Sequence, residues 1–298
     1  LTQGQPVCGR AGSSWNVAEP FFPKERLIIL GGGHVALPVA EFGARVGFLV
    51  TVVDDRLSFA NPGRFPMAEK VICDDFGHAI KELKIQESDY ICIVTRGHRH
   101  DADCLRMIGK GKEPAYLGMI GSRRRVGIVK QELLEEGYDP ERMSRLKSPI
   151  GLKIGGVTPE EIAISILAEI IQVKRMDRED KRVKNRSDLD FDVLKRLADE
   201  PDEPKAVVTV IESKGSSPRG AGAKMIVYRD GRILGSIGGG CSEAAVLGEA
   251  RSLIGSGRYK VVHVDLTGEA AEDEGMVCGG IMDVLVEDFA TDREPCDR

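Results

Sequence analysis

The residues best placed to do chemistry surround a cysteine. Gly235-Ser236-Ile237-Gly238-Gly239-Gly240-Cys241-Ser242-Glu243 reads as the end of a strand, a three-glycine turn and the start of a helix. Glycines such as Gly239 and Gly240 let backbone amides line a concave anion site, and a thiol at a helix N-terminus faces N–H groups that favour its thiolate. Cys241 is therefore expected to be the most reactive of the seven cysteines; the bland alternative is a small buried residue beside a turn. Cys278 precedes Gly279-Gly280, a second glycine-flexed position that the fold could bring to Cys241. The stretch from Ser213 to Gly222 offers hydroxyls and cations, among them Ser216 and Arg219, suited to a phosphate or a pterin oxyanion. An ordinary flexible loop would read the same way. Cys73, Cys92 and Cys104 lie in apolar patterns and are expected in the core, whereas Cys8 and Cys296 carry no context.

A second constellation lies in the first half. The apolar run Leu27–Leu30 enters Gly31-Gly32-Gly33-His34-Val35-Ala36, and Gly31, Gly33 and Ala36 fit the dinucleotide turn G-x-G-x-x-A. The first glycine allows the tight turn, the second lets backbone approach a pyrophosphate, and the small third residue lets the helix pack closely on the sheet. Asp54, at the end of the next strand, stands where an acid would accept ribose hydroxyls and repel a 2′-phosphate, which favours NAD or FAD over NADP. A Rossmann unit with a decayed site, or one that binds another anion, would show the same residues. Two further loops should face this turn, Thr95-Arg96-Gly97-His98-Arg99-His100-Asp101 and Gly118 to Arg124, which includes Gly121 and Ser122. His98, His100 and Asp101 could bind a metal or move protons, although such a pair beside Arg96 and Arg99 more often forms a polar rim.

The elements that would position these groups follow from periodicity. Apolar runs at Arg26–Leu30, Leu49–Val53, Lys70–Cys73, Tyr90–Val94 and Ala115–Met119 alternate with helical stretches, the pattern of βαβ units and a parallel sheet. Asp101 and Ser122 are candidate helix caps, and Thr158-Pro159-Glu160-Glu161 forms a capping box. Ten of the fourteen residues from 174 to 187 are charged, and Ser187 is expected to open a short helix. Beyond Pro204, strands are expected at Val207–Ile211, Lys224–Tyr228, Ile233–Ile237, Tyr259–Asp265 and Ile281–Glu287, with a helix from Ser242 to Ile254. The fold class is therefore α/β, a doubly wound parallel Rossmann-like domain plus a smaller α+β domain. The expected divisions are an N-terminal segment (1–24), the Rossmann-like domain (25–176), a charged linker with a short helix (177–204) and the cysteine domain (205–298).

Bulk properties exclude several classes. At 298 residues the chain exceeds the size at which one core stops growing. A net charge of −5 gives no case for nucleic acid or an anionic membrane. No apolar run is long enough to span a bilayer, and the opening residues carry no secretory signal. The odd, widely spaced cysteines disfavour a disulfide framework, so a cytoplasmic location is expected.

Taken together, the motifs resemble the XdhC/CoxI family of xanthine dehydrogenase accessory proteins. The resemblance spans about Ala18 to Phe289 and rests on the glycine turn, Val52-Val53-Asp54-Asp55-Arg56, Thr95-Arg96-Gly97-His98, Tyr116 to Ser122, Ser148 to Leu152, Gly215 to Arg219, Gly238 to Cys241 and Cys278-Gly279-Gly280. It implies a protein that binds molybdenum cofactor (molybdopterin), assists its sulfuration with a cysteine desulfurase, and delivers it to a molybdenum hydroxylase of the xanthine dehydrogenase type. It further implies that Cys241 could hold the molybdenum or its sulfido ligand, a role that suits a soft thiolate. In the usual order the cysteine domain comes first; here it follows, so the chain reads as a rearranged or tandem relative, expected to be a homo-oligomer. The alternative is an NAD-dependent oxidoreductase or a nucleotide-sensing regulator. No hydride-transfer set accompanies the glycine turn, so a non-catalytic insertion factor is favoured over a dehydrogenase.

Overall fold

Five short apolar strands form a parallel sheet in the order β5-β4-β3-β6-β7. They are β3 (Arg26–Leu30), β4 (Leu49–Asp54), β5 (Lys70–Cys73), β6 (Tyr90–Ile93) and β7 (Tyr116–Met119) in a computed structural model. The structure describes residues 4, 6–12, 14–176, 185, 187–265 and 280–289. Both faces of the central strands are buried: Leu27, Ile28, Ile29 and Leu30 are all inaccessible to solvent, which is why β3 shows no polar alternation. One face packs against α1 (Ala36–Arg45) and α6 (Pro159–Met176) through Val39, Ala40, Ala163, Ile166 and Ile170. The other packs against α2 (Phe76–Leu83), α3 (His98–Gly109), α4 (Arg123–Glu135) and α5 (Pro140–Arg145). The doubly wound expectation thus holds.

Local chemistry sets the helix starts. The Ser122 hydroxyl accepts from Arg125 N–H, and the Thr158 hydroxyl accepts from Glu161 N–H while the Glu161 carboxylate accepts from the Val157 and Thr158 amides. Two expected starts are displaced. Asp101 is no cap: α3 begins at His98 behind Gly97, which places Asp101 in the first turn, where its carboxylate is buried. Ser187 does not open a helix either, because Asp190 caps α7 (Phe191–Asp199) by accepting from Asp192 N–H.

A second sheet, antiparallel, has the order β10-β9-β8-β12-β11. Its strands are β8 (Lys205–Gly215), β9 (Lys224–Tyr228), β10 (Ile233–Gly235), β11 (Tyr259–Asp265) and β12 (Gly280–Phe289). Along β12, buried and partly exposed residues alternate strictly, as expected of a strand with only one face in a core. The helix α8 (Gly240–Leu253) packs on that core through Val246, Ala250 and Leu253.

The chain divides into two compact units, Pro23–Lys184, and Leu1–Phe22 together with Asn185–Arg298. The N-terminal segment therefore belongs with the cysteine-bearing unit. Its hairpin, β1 (Val7–Ala11) and β2 (Ser14–Ala18), has no counterpart in the strands read from the sequence. The turn contains Gly12 at φ +63, a left-handed conformation that glycine adopts without strain. Just after the hairpin in the chain, the Glu19 carboxylate accepts from the Lys224 ammonium at 2.7 Å, an ion pair almost wholly withdrawn from water, and Lys224 also donates to the Thr209 hydroxyl at 3.0 Å.

Candidate functional site

Three separate stretches meet around the cysteine turn. A Cβ on Gly238 would lie 2.3 Å from Pro218 Cγ, so the glycine turn packs directly on the Ser216–Arg219 loop. A Cβ on Gly280 would lie 2.7 Å from Ser217 N, so the start of β12 packs on the same loop. The tolerance for such approach is what glycine supplies at both positions. Gly238, Gly239 and Gly240 have φ of +135, +73 and +52, and Cys241 follows as the second residue of α8. Nothing lies within 4 Å of a Cβ placed on Gly239, so this part of the turn faces open space.

The turn is held by Glu243, whose carboxylate accepts from Ser236 Oγ at 2.7 Å and Gly239 N at 3.0 Å. One of the amides expected to receive an anion thus already has an anionic partner. The Arg219 guanidinium donates to the Asp188 carboxylate at 2.6 Å, and Ser217 Oγ donates to Arg219 O at 2.8 Å; both interactions stiffen the loop. Ser216 is exposed. The Cys241 and His98 side chains, and Cys278 and Cys296 entirely, lie outside the described residues.

At the glycine turn of the parallel sheet, Gly31 sits at φ +114 with its Cβ position 2.5 Å from Val94 O, and Gly32 is equally tight against Phe59 O at 2.4 Å. Gly33 is open, with nothing within 4 Å. His34 is exposed, and Ala36 is buried where α1 meets the sheet.

The acid that the dinucleotide pattern assigns to ribose is engaged internally. Asp54 is 1% exposed and accepts from Gly32 N at 2.8 Å and from Arg56 Nε and Nη2 at 2.8 and 2.9 Å. Burial pushes the Asp54 carboxyl up, but the Arg56 guanidinium and the Gly32 and Arg56 amides outweigh it and hold the group below its ordinary range. Arg64 donates to the Gly32 and Gly33 carbonyls. Arg96, expected to face a ligand, forms a bidentate pair with Asp55 at 2.8 Å on both arms. Because Asp55 follows β4 and Arg96 follows β6, this pair links the loops on either side of β3.

Asp101 accepts from the Thr95 hydroxyl and pairs with Arg125. Burial pushes its carboxyl above the ordinary range, and the Thr95 hydroxyl and the Arg125 guanidinium only partly oppose this. His100 packs against Phe76, ring centroids 5.6 Å apart. Gly121 and Ser122 lead into α4, where Ser122 acts as the cap. Among the described residues no group of three His, Cys, Asp or Glu is placed to hold a metal ion; this does not extend to a site made of His98, His100 and Asp101, because the His98 side chain is not among them.

A 110 Å³ cavity lined by Pro114, Tyr116, Arg142, Met143 and Leu146 opens beside the amino end of β7. Ligands of open α/β sheets bind at the carboxyl ends, so this cavity is set apart from the glycine turn. Burial pushes the Cys92 and Cys104 thiols far up, as expected of core cysteines. Cys73 departs from expectation and is exposed, because β5 is an edge strand. No helix among the described residues is long and apolar enough to cross a membrane.

Comparison with known proteins matches both units. Residues 27–170 match the XdhC Rossmann domain, and residues 198–265 match the XdhC and CoxI family. An Escherichia coli protein, YqeB, is 36% identical over 168 residues, covering 56% of this chain and 30% of the relative. A Bacillus subtilis protein named as a probable xanthine dehydrogenase subunit is 34% identical, over 51% of this chain and 44% of its own length. PaoD, a molybdenum cofactor insertion chaperone of Escherichia coli, is 40% identical over 74 residues, 25% of this chain and 23% of that protein. This chain therefore spans less than half the length of each of these relatives. A crystal structure described as a xanthine dehydrogenase from Bacillus halodurans is 35% identical, with a TM-score of 0.45 over 53% of this chain and 44% of that one. The chain therefore carries an XdhC Rossmann domain and, after it, a domain of the XdhC and CoxI family.

Proposed function

We propose that this protein is an accessory factor that binds molybdenum cofactor, assists its sulfuration together with a cysteine desulfurase, and hands it to a molybdenum hydroxylase of the xanthine dehydrogenase type. The observation that carries this reading is the convergence of the Gly238–Cys241 turn, the Ser216–Arg219 loop and Gly280 within one unit. Relatives named as a molybdenum cofactor insertion chaperone and as part of a probable xanthine dehydrogenase point to the same chemistry.

The residues present fit such a cofactor. The open face of Gly239 leaves room for a planar group, a thiolate is a soft donor, and the exposed Ser216 hydroxyl can bond pterin or phosphate oxygens. When bound, the cofactor supplies a molybdenum centre with an exchangeable sulfido ligand. The chain itself would orient it: Glu243 and Ser236 fix the turn, and the Arg219–Asp188 pair fixes the loop opposite. Cys241, at the start of α8, would present its sulfur to the metal or its sulfido ligand, and Cys278 would act beside it. A cytoplasmic homo-oligomer is the setting in which we expect this to occur.

A dehydrogenase reading is less well supported, because the Asp54 carboxylate is committed to Gly32 and Arg56 and would have to abandon both to receive ribose. The test is binding of molybdenum cofactor to wild type and to Cys241→Ala, read by metal analysis and pterin fluorescence. Stoichiometric cofactor that is lost in the variant supports the carrier role. Absence of cofactor from both, with clear NAD binding, would reverse it.

A further inference from the structure

We propose that the outer face of α6 is an interface on which a second copy of this chain packs, with the two α6 helices antiparallel. The inner face of this helix is already engaged, since Ala163, Ile166 and Ile170 pack on the parallel sheet beside α1. A surface helix of that kind turns polar residues to water, as α2 does with His78, Lys81 and Glu82. The middle of α6 does not. Ile164 is 52% exposed and Ile171 39%, with the half-buried Ala168 between them, and Val157, just before the helix, is 82% exposed. Apolar residues on both faces are the pattern of a helix covered on both sides, and a run of them left in water marks an interaction surface.

The charges along this face select the occupant. Glu160, Ile164, Ala168, Ile171 and Arg175 recur at intervals of three or four residues and so form one stripe along the helix. The stripe is self-complementary. Ile164 and Ile171 stand equally far from the point between Leu167 and Ala168, and so do the exposed Glu160 and Arg175. A two-fold axis through that point lays Ile164 against the partner's Ile171 and Glu160 against the partner's Arg175, twice in each dimer, as an isologous interface requires. A parallel arrangement would oppose like charges at both ends of the stripe, so the groups that favour the antiparallel dimer also disfavour its alternative. The helix dipoles act in the same direction, because antiparallel helices place opposite partial charges side by side. Ala168, small and close to the centre, lets the two backbones approach.

This names the interface of the homo-oligomer expected above and does not rest on the cofactor role, because assembly is read on the full chain with no cofactor added. Sedimentation equilibrium over a range of concentrations would be run on wild type, on Ile164→Glu, Ile128→Glu, Glu160→Arg and Arg175→Glu, and on an equimolar mixture of the last two, with circular dichroism to verify that each variant is folded. Wild type should be a dimer. Ile164→Glu, which puts a carboxylate into the stripe of both copies, should weaken association about thirtyfold or more. Ile128→Glu, at an exposed position of α4, should leave it unchanged. Each charge reversal alone should weaken it about tenfold, since two attractions become two repulsions. Mixed, the two should pair with one another and return to within about threefold of wild type, because one then carries a cation at both ends of the stripe and the other an anion at both. A monomeric wild type, a dimer that survives Ile164→Glu unchanged, or a mixture no tighter than its components would overturn the proposal. The first of these would assign the face to a different protein, the second would place the contact between copies elsewhere, and the third would remove the antiparallel pairing.

Discussion

A carboxylate is useful to a ligand only while its lone pairs are free, and Asp54 shows how neighbours two and twenty-two residues away remove that freedom. Gly32 and Arg56 hold the group ionised and buried. Its folded pKa lies below the ordinary value of 3.8, so its contribution is present above that value and is lost as pH falls through the lower, folded one. Asp54→Asn should therefore destabilise the Pro23–Lys184 unit by about 1–3 kcal/mol at neutral pH. The difference from wild type should shrink below pH 3.8, as urea unfolding at several pH values would reveal. The cysteines offer a second residue-scale test. Burial raises the Cys92 and Cys104 thiols out of the reactive range, while Cys73 is exposed. Peptide mapping after brief alkylation of native protein should find Cys73 modified and Cys92 and Cys104 intact; modification of the latter pair before unfolding would refute the packing.

At the scale of elements, the cysteine turn depends on contacts that only glycine permits. Gly238 combines φ +135 with a Cβ position 2.3 Å from Pro218. Gly238→Ala must shift either the turn or the Ser216–Arg219 loop, at a cost of about 1–3 kcal/mol. Gly239→Ala meets no neighbour and bears only the strain of φ +73, about 1 kcal/mol. Thermal melting should rank the two in that order, and cofactor capture should fall more in Gly238→Ala. Equal effects would mean that the packing of loop on turn contributes little.

At the scale of the whole molecule, the division into units predicts separable stability. The buried Glu19–Lys224 pair joins the N-terminal segment to the antiparallel sheet of its own unit. Glu19→Ala leaves the Lys224 ammonium without its carboxylate, which costs about 3–5 kcal/mol for a buried pair broken on one side. Calorimetry should show the transition of the unit containing residues 185–298 shifted down and that of the Pro23–Lys184 unit unmoved. A shift of both transitions together would mean that the chain unfolds as one cooperative block.

The sequence by itself determined the parallel sheet. Arg26–Leu30 matches β3 residue for residue, because a strand covered on both faces must be apolar along its length and stop at the first turn residue, and Lys70–Cys73 matches the edge strand β5 equally well. The Thr158 capping box and the Ser122 cap were equally legible, since their hydrogen bonds close within four residues. The glycine turn and the Cys241 turn could be read as motifs for the same reason. The tertiary structure decided what those motifs face. That Asp54 is engaged by Gly32 N–H, that Asp101 pairs with Arg125, and that Gly238 and Gly280 both close on Ser216–Arg219 each depend on chain segments brought together over distances no local pattern encodes. The N-terminal segment belongs to the same class: Glu19, just after its hairpin, pairs with Lys224 about two hundred residues away, and burial of a charge pair is settled only when both sides of the core are in place.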